Sequence, residues 1–257
     1  MESHTPVALS IAGFDSSGCA GIPADLATFA AHGVHGAAAI TTVTAQSASG
    51  VTALHPLPPD LVRAQIERAL ADLRPRAIKI GMLGPPDLVR ALREALSATS
   101  APVVLDPVGC ATSGRSFLWA DTLAEQIAPL LDRIALLTPN LPEARDLAGD
   151  DAVDSWCAGR PFAVLLKGGH APGSRIEDRL YRPGETPLDF SHPRLELRSA
   201  RGTGCTLSSA VAAGLALGRS LEDAVDGAIR YLQSILRTSI GRDPELGLDR
   251  SGRIVGQ

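Results

Sequence analysis

Short apolar runs alternate with longer amphipathic segments along most of the chain. The first run, VALSIAG, leads through the loop FDSSGCAG into IPADLATFAAHG, whose apolar residues recur with helical spacing. Further strands are predicted at GAAAITTV, AIKIG, PVVLD, IALLTPN and FAVLLKGG, and further helices at PPDLVRAQIERALADL, PPDLVRALREAL, TLAEQIAPLLDR and LPEARDLAG. Short apolar strands that alternate with amphipathic helices are typical of parallel strands covered on both faces.

The pattern changes in the last third of the chain. From Asp178 to Arg198 the runs become shorter and more polar, which predicts antiparallel strands at the edge of the sheet. Two helices follow, GCTLSSAVAAGLALG and SLEDAVDGAIRYLQSILR. Because no composition break, repeat or low-complexity tract divides the chain, we expect one α/β domain over residues 1–257. Its sheet should be doubly wound, mostly parallel and flanked by helices, with a small edge of antiparallel strands.

Composition narrows the range of partners. The hydrophobic fraction is 45%, the charged fraction 20% and the formal net charge -4, which is typical of a globular protein, and no basic stripe suggests nucleic acid as a partner. No stretch approaches the ~18 apolar residues of a membrane span, and the N-terminus lacks a positively charged start, so we expect a cytoplasmic protein without membrane contact. The four cysteines form no C-x-x-C pair and are expected to be free thiols.

Unusual residues gather where the predicted strands end. The segments that follow successive strands are TAQSASG, KIGML, DPVGCATSG, TPNLPE and KGGH. Since ligands of doubly wound sheets bind beyond the carboxyl ends of the strands, we expect these segments to meet on one rim. The chain contains no G-x-x-x-x-G-K-[ST] motif, which excludes a P-loop as the phosphate binder.

The segment GTGCT, at the start of the penultimate helix, is the first candidate for chemistry. Glycines at 202 and 204 let a ligand approach first-turn amides that have no partner within the helix, so the segment either binds an anion or only makes a tight turn. At this place Cys205 is expected to have a lowered pKa and to accept the proton of an attacking hydroxyl while the amides hold phosphoryl oxygens. The alternative for Cys205 is a small buried apolar side chain.

Polar side chains at the other strand ends suit a metal, a phosphate and a heterocycle. Asp106, Asn140 and Glu143 offer oxygen ligands for Mg²⁺, although Asn140 could equally be a helix N-cap with Glu143 as its capping-box partner. Lys167 could contact a phosphate or reach solvent. Gln46 could pair with the edge of an aminopyrimidine or be solvated.

These segments together resemble the hydroxymethylpyrimidine and phosphomethylpyrimidine kinases of thiamine biosynthesis, a branch of the ribokinase-like superfamily. The matching stretches, in the family's order, are IAGFDSSGCAGIPADL, TAQSASGV, KIGML, DPV, TPNLPEA, LKGGH and GTGCTLSSA. They extend from about Leu9 to Tyr231. The resemblance implies a single ribokinase-like kinase domain over residues 1–257, ATP and Mg²⁺ as cofactors, and a homodimer.

The resemblance also implies a role for individual residues. It makes Cys205 the catalytic base. The anion hole would be formed by Gly202, Thr203 and Gly204. The residues implied around the pyrimidine ring are Gly13, Asp25, Gln46, Met82 and Val108. ATP would be bound by Asn140 and Lys167, and the metal by Asp106 and Glu143.

The sequence departs from the family's usual pattern at several places. Cys19 replaces a glycine and should narrow the first loop, Pro23 replaces a glutamine, and Thr112 replaces a lysine of a flap. Arg201 stands where histidine is common, and the chain before Lys167 is shorter by about one helix. The C-terminus, GRDPELGLDRSGRIVGQ, is also atypical.

The activity that the resemblance implies is ATP-dependent phosphorylation of 4-amino-5-hydroxymethyl-2-methylpyrimidine. Whether the monophosphate is then phosphorylated as well is left open. The first alternative is a pyridoxine or pyridoxal kinase of the same fold. The second is a non-catalytic pyrimidine-binding or regulatory protein.

Overall fold

The computed structural model describes residues 5–110, 114, 116–196 and 201–250. Its strands are β1 (Val7–Asp15), β2 (His35–Ser47), β3 (Gly50–Pro56), β4 (Ala77–Ile80), β5 (Val103–Leu105), β6 (Leu136–Leu137), β7 (Ala163–Leu166), β8 (Arg175–Tyr181) and β9 (Leu188–Pro193). Its α-helices are α1 (Gly21–Ala31), α2 (Pro59–Arg68), α3 (Pro86–Leu96), α4 (Leu123–Ile127), α5 (Leu141–Ala148), α6 (Val153–Ala158), α7 (Thr203–Ala216) and α8 (Leu221–Thr238).

The strands form one 9-stranded sheet in the order β3-β2-β1-β4-β5-β6-β7-β8-β9. From β2 to β7 along this order all neighbours are parallel, whereas β3 at one edge and β8 and β9 at the other are antiparallel. The chain passes from β1 to β2 on one side and returns to β4 on the other, so the order reverses between β1 and β4. The predicted doubly wound, mostly parallel sheet is confirmed.

Helices cover both faces of the sheet because neighbouring strand residues point to opposite sides. Leu9 of β1 belongs to the apolar cluster under α2 to α6, and the adjacent Ala8 belongs to the cluster under α1, α7 and α8. Two buried cores therefore hold the sheet between them. Among the described residues, no helix combines the length and the hydropathy that crossing a bilayer would require.

Several boundaries differ from those predicted. TAQSASG is not a loop, because β2 continues to Ser47 and turns into β3, whose alternating exposed and half-buried residues form no apolar run. The predicted helix TLAEQIAPLLDR keeps α-helical form only over α4 and continues as a 3₁₀ turn at Ala128–Leu130, where Pro129 cannot extend the α-helical hydrogen bonds. The shortened region before Lys167 holds the six-residue helix α6.

Candidate active site

A cavity of about 660 Å³ lies beyond the carboxyl ends of the parallel strands. The predicted site residues in its wall are Gly13, Gln46, Met82, Asp106, Val108, Asn140, Glu143, Lys167, Gly202, Thr203, Gly204 and Cys205. The prediction that the strand ends meet on one rim is therefore confirmed. Asp25 is the predicted site residue that does not form part of this wall.

The glycine loop before α7 is packed closely against its neighbours. Gly202 adopts a left-handed backbone (φ 77°), and a Cβ there would lie 2.1 Å from the carbonyl oxygen of Cys19. A Cβ on Gly204 would lie 3.3 Å from Oδ2 of Asp106 and 3.4 Å from Nζ of Lys167. Glycine at these positions therefore lets the start of α7 approach both the first loop and a charged pair.

The Cys205 thiol is half-buried in the first turn of α7, and the expectation of a lowered pKa is wrong. Burial raises the pKa of Cys205 above its ordinary value, and the carboxylates of Asp25 and Asp106 add to the rise. The positive charge of Lys79 and a hydrogen bond from the backbone N–H of Gly21, at the start of α1, act in the opposite direction. The cost of removing the thiolate from solvent outweighs the stabilisation by Lys79 and Gly21, so the thiol of Cys205 is protonated at neutral pH.

Lys79, which lines the cavity, forms a fully buried ion pair with Asp25, which lies behind the wall. Nζ of Lys79 donates to Oδ2 of Asp25 at 2.8 Å and to Oδ1 at 3.0 Å. The hydroxyls of Ser10 and Ser209 donate to the same carboxylate at 2.5 and 2.8 Å. Burial alone would lower the pKa of Lys79, but the surrounding negative charges, that of Asp25 first, together with the hydrogen bonds to Asp25 outweigh it and keep the ammonium protonated.

These contacts explain why Asp25 differs from its predicted place around the ring. Its carboxylate is occupied by three side chains, and its residue is fully buried. Lys79, which the sequence analysis did not single out, lines the cavity instead. A lysine inside the apolar strand AIKIG was the signal that could have found it, because a lysine is almost never fully buried without a partner.

A second ion pair joins the ends of β5 and β7. Nζ of Lys167 donates to Oδ1 of Asp106 at 2.8 Å, and Oγ1 of Thr138 donates to the same oxygen at 3.1 Å. Burial would raise the pKa of Asp106, but the charges of Lys167 and Lys79 outweigh it and hold the pKa below its ordinary value. Burial would likewise lower the pKa of Lys167, but the negative charges of Asp106 and Glu143 outweigh this effect and raise the pKa above its ordinary value. Both members of the pair are therefore charged.

Asn140 and Glu143 form the capping box that the spacing allowed. The backbone N–H of Glu143 donates to Oδ1 of Asn140 at 2.9 Å, and Oε2 of Glu143 accepts from the N–H of Asn140 at 2.8 Å. Burial raises the pKa of Glu143 to about 7, although the charge of Lys167 opposes the rise. The capping box is confirmed. It holds the carboxyl of Glu143, which is readily protonated, beside the Asp106–Lys167 pair.

Mg²⁺ is the metal that the family resemblance implies, and the donor set can be tested against it. Among the described residues, no cluster of three or more His, Cys, Asp or Glu side chains could hold a metal ion by itself. Mg²⁺ usually takes only one or two carboxylates and completes its shell with water and substrate phosphates. Asp106 and Glu143 therefore fit an ion that arrives with a nucleotide.

One end of the cavity is suited to a flat ring. Met82 packs in an apolar cluster with Phe117, Val108 and their neighbours. A Cβ on Gly13 would lie 2.0 Å from Cε of Met82, so glycine there makes room for this side chain. Oε1 of Gln46 accepts from Oγ1 of Thr44 at 3.3 Å, which leaves its amide N–H₂ as a donor and the second lone pair of Oε1 as an acceptor at the edge of the slot.

A polar network at the opposite end was missed by the sequence analysis. Asp178 accepts from Nε2 of His192 at 3.0 Å and from the backbone N–H of Gly168 at 2.7 Å, and Gln233 contacts Nδ1 of His192 at 2.9 Å. Apolar side chains complete this end of the wall: Ile176, Leu195, Leu232 and Leu236. Most of these residues come from β8, β9 and α8, and no local sequence motif indicates that these elements meet.

The residues that depart from the family's pattern have defined places. Cys19 is buried outside the wall of the cavity, and its Sγ donates to the carbonyl oxygen of Glu245 at 3.4 Å. Arg201 is also buried, and its Nη2 donates to Oδ2 of Asp15 at 3.2 Å and to Oγ of Ser17 at 3.0 Å. Thr112 lies outside the described residues. The four cysteines are free, as predicted.

The cavity lies where the strand order reverses, with charged groups and a helix N-terminus at one side and an apolar slot at the other. This is the arrangement of a small-molecule kinase of the ribokinase-like fold. The sequence narrows this class further. The family described as Phosphomethylpyrimidine kinase matches residues 15–247, and the chain belongs to it. The chain is therefore a phosphotransferase, as the resemblance predicted.

Individual relatives agree with this assignment. The chain is 43% identical over 242 residues to hydroxymethylpyrimidine/phosphomethylpyrimidine kinase of Rhizobium meliloti, covering 90% of this chain and 91% of the relative. It is 41% identical over 261 residues to the enzyme of that name in Streptomyces coelicolor, covering 98% and 96%.

Solved structures of both vitamin-kinase types share the fold. The phosphomethylpyrimidine kinase of Clostridium difficile has a TM-score of 0.74 at 34% identity, covering 90% of this chain and 99% of its own. The ADP complex of Bacillus subtilis pyridoxal kinase has a TM-score of 0.83 at 29% identity, covering 97% and 98%.

Proposed function

We propose that this kinase transfers the γ-phosphoryl group of ATP to the hydroxymethyl oxygen of 4-amino-5-hydroxymethyl-2-methylpyrimidine, and then phosphorylates the monophosphate. The observation that carries the proposal is that one cavity holds a ring slot at Gln46 and Met82, the Asp106–Lys167 pair, and Cys205 in the first turn of α7. The names of the relatives support the same two reactions.

The ring binds in the apolar slot. Met82, Val108 and Phe117 exclude water from its faces, and the amide of Gln46 offers a donor and an acceptor to the aminopyrimidine edge. This contact fixes the ring in the plane of the slot. The hydroxymethyl group then lies toward Cys205.

Transfer begins when the thiolate of Cys205 removes the hydroxyl proton. A bond forms between the hydroxymethyl oxygen and the γ-phosphorus, the bond from that phosphorus to the bridging oxygen breaks, and ADP leaves with the electron pair. The start of α7 places the positive end of its dipole at the moving phosphoryl group, with Gly202, Thr203 and Gly204 forming the anion hole. The proton remains on the sulfur until solvent takes it.

Lys167 and Asn140 bind the phosphates of ATP at the opposite side. Asp106 and Glu143 would hold Mg²⁺, which, when bound, neutralises the charge of the β- and γ-phosphates. The apolar residues Leu195, Leu232 and Leu236 receive the adenine ring. The ADP complex of the related pyridoxal kinase supports a nucleotide in this fold.

The test is the product formed with each substrate. Wild-type protein with ATP and Mg²⁺ should release ADP with the hydroxymethylpyrimidine and with its monophosphate, and phosphorus NMR should show a phosphate ester followed by a diphosphate. If calorimetry detects pyrimidine binding but no ADP is released, the protein is instead a non-catalytic binder. Release with the first substrate alone would restrict the function to the first transfer.

Pyridoxal is the second candidate substrate, because the Bacillus subtilis pyridoxal kinase shares the fold at a TM-score of 0.83. Its identity of 29% is lower than the 43% of the Rhizobium meliloti relative. Gln46 also favours a ring with an exocyclic amine, since an amide can both donate to and accept from that edge.

The assembly is proposed from the family resemblance, and the location is the expectation drawn from the sequence. We expect a homodimer in the cytoplasm. Sedimentation velocity of the purified protein tests the first expectation, since a single species at the monomer mass would contradict it. Fractionation of cells of the source organism tests the second.

A further inference from the structure

The last described residues fold back over the loops that frame Cys205. Oε2 of Glu245 accepts from the backbone N–H of Ala48 at 3.3 Å, next to the turn between β2 and β3. Leu248 is buried in the cluster shared with α7 and α8, and the N–H of Asp249 donates to Oγ of Ser239 at 2.9 Å. Residues 241–250 are therefore an anchored segment, here called the C-terminal strap.

Arg250 connects this strap to the site. Its Nε donates to Oγ1 of Thr206 at 2.8 Å, and its Nη2 donates to the carbonyl oxygen of Cys19 at 2.9 Å and more weakly to that of Gly202 at 3.4 Å. The residue is 8% exposed. One planar group thus joins the first loop, the residue before α7 and the first turn of α7.

The loop at Gly202 is shaped around this guanidinium. A Cβ on Gly202 would lie 2.4 Å from Nη2 of Arg250 as well as 2.1 Å from the carbonyl oxygen of Cys19. The same glycine carbonyl accepts from Oγ1 of Thr206 at 2.7 Å. Arg250 and Thr206 therefore hold the carbonyl of Gly202 from two sides, and this carbonyl orients the peptide bond that enters the anion hole.

Among the described residues, no carboxylate forms an ion pair with Arg250, and the charge of Asp25 acts on it only without direct contact. Within the described part of the chain, its hydrogen-bond partners are a hydroxyl and two carbonyl oxygens, none of them a carboxylate. A buried guanidinium with neutral partners keeps its field directed at its surroundings, which here include the start of α7. That field favours negative charge on a phosphoryl group held there.

We propose that Arg250 is a positioning residue that fixes the anion hole of this kinase by bridging the first loop to the start of α7. The inference rests on the proposed function for its catalytic consequence, but the bridging itself does not. Arg250 has no place in the wall of the cavity and acts through Gly202 and Thr206.

Hydrogen–deuterium exchange tests the bridge without reference to any substrate. In Arg250→Ala, the amides of residues 202–206 should exchange about tenfold faster than in the wild type, because the loop loses its tether. Arg230→Ala is the matched control, since it removes an exposed guanidinium of α8 that pairs with Asp226 and should leave this exchange unchanged. Unchanged exchange in Arg250→Ala would overturn the proposal.

Steady-state kinetics test the effect of the Arg250 bridge on catalysis. In Arg250→Ala, kcat for the hydroxymethylpyrimidine should fall between about tenfold and about a hundredfold, while its KM stays within about twofold, because the ring slot is untouched. Free guanidinium ion should restore part of kcat by refilling the vacated site. A loss that follows only the folded fraction, with no recovery by guanidinium, would contradict a positioning role.

Two further outcomes keep the test decisive. If Arg250→Ala does not fold, Thr206→Val removes the hydroxyl that bonds both Arg250 and Gly202 and should produce the same faster exchange. If the wild type transfers no phosphate to the pyrimidine, the proposed function fails. The exchange measurement then still decides whether Arg250 tethers the loop.

Discussion

Cys205 is held between two helix starts and beside a buried cation, and yet its thiol is hard to ionise. Burial raises its pKa, and the field of Lys79 and the N–H of Gly21 only partly offset the loss of solvent. A thiol must lose its proton before it can take one from a hydroxyl. If Cys205 is the base, as proposed, the fraction of thiolate should limit the rate of the first transfer.

The pH dependence of the first transfer follows from this. Because the pKa of Cys205 lies above its ordinary value of 9.0, the thiolate fraction increases about tenfold per pH unit throughout the neutral range. We expect kcat/KM for the hydroxymethylpyrimidine to rise with pH up to at least pH 9, because kcat/KM reports the free enzyme. A plateau beginning below pH 8 would contradict the assignment of this thiol as the base.

Substitution of the proposed base should affect the two transfers differently. Cys205→Ala should reduce the first transfer by about 10²-fold, since the hydroxyl proton loses its acceptor. The phosphate of the monophosphate, with a second pKa near about 6, is already ionised and needs no base, so the second transfer should fall less. Equal losses in the two steps would indicate that Cys205 supports the loop and not proton removal.

Glu143 gives the site a second titration. Its pKa of about 7 means that a proton must leave before the carboxylate can bind a metal, so the affinity for Mg²⁺ should fall about tenfold per pH unit below pH 7. Glu143→Gln should keep the capping contact but lose this pH dependence. The check is Mg²⁺ titration of the activity at pH 6 and pH 8.

Glu125→Gln is the matched control for that measurement. Glu125 occupies the same capping-box position at the start of α4, where it accepts from the N–H of Thr122, and is exposed. Its substitution changes a capping contact without changing the cavity. Equal effects of the two substitutions on Mg²⁺ dependence would remove Glu143 from the metal site.

At the scale of elements, helix α7 is flanked by two glycines with left-handed backbones, Gly202 before its start and Gly218 after its end. The two glycines differ in how closely their neighbours pack around them. Gly202→Ala should destabilise the protein by about 3 kcal/mol, because it combines the left-handed strain with contact against the carbonyl of Cys19. Gly218 has φ 81° and nothing within 4 Å of an added Cβ, so Gly218→Ala should cost only about 1 kcal/mol. Urea unfolding compares them, and equal losses would contradict the close packing at Gly202.

Local signals predicted most elements of this fold. The N-x-x-E spacing at Asn140 gave both the start of α5 and its capping box, and GTGCT gave the start of α7. Elements that depend on a partner were missed or misplaced. Strand β3 has no apolar run because it is an edge strand paired only with β2, and β6 extends over just two residues.

Most predicted site residues meet in space because they lie near the end of a strand or at the start of a helix. Residues whose role depends on distant partners were not found in the same way. The bond from Arg250 to Cys19 spans 231 positions of the chain, and the pairing of His192 with Asp178 requires the register of β8 with β9. Neither follows from local spacing, since the fold must already be known.

At the scale of the whole molecule, one buried ion pair joins the elements around the switch point. The carboxylate of Asp25 in α1 accepts hydrogen bonds from Lys79 of β4, Ser10 of β1 and Ser209 of α7. Lys79→Met would leave the carboxylate of Asp25 buried without a cation. We expect a loss of about 3 to 5 kcal/mol in the free energy of unfolding.

Denaturant unfolding at neutral pH measures this loss. The double substitution Lys79→Met and Asp25→Asn should recover part of the stability, because neither buried charge then remains. Arg93→Met, which breaks the exposed pair with Asp132, is the control and should have a far smaller effect. If Lys79→Met is as mild as this control, the ion pair does not hold these elements together.

Selectivity between two vitamin precursors tests the proposed function most directly. The measurement is kcat/KM of the wild-type protein, with ATP and Mg²⁺, for the hydroxymethylpyrimidine and for pyridoxal under the same conditions. The ring slot with Gln46 at its edge predicts a value at least about tenfold higher for the pyrimidine. Pyridoxal would cover the amide of Gln46 without pairing with it, and this should lower the rate of transfer to pyridoxal. A higher value for pyridoxal would contradict the proposed function.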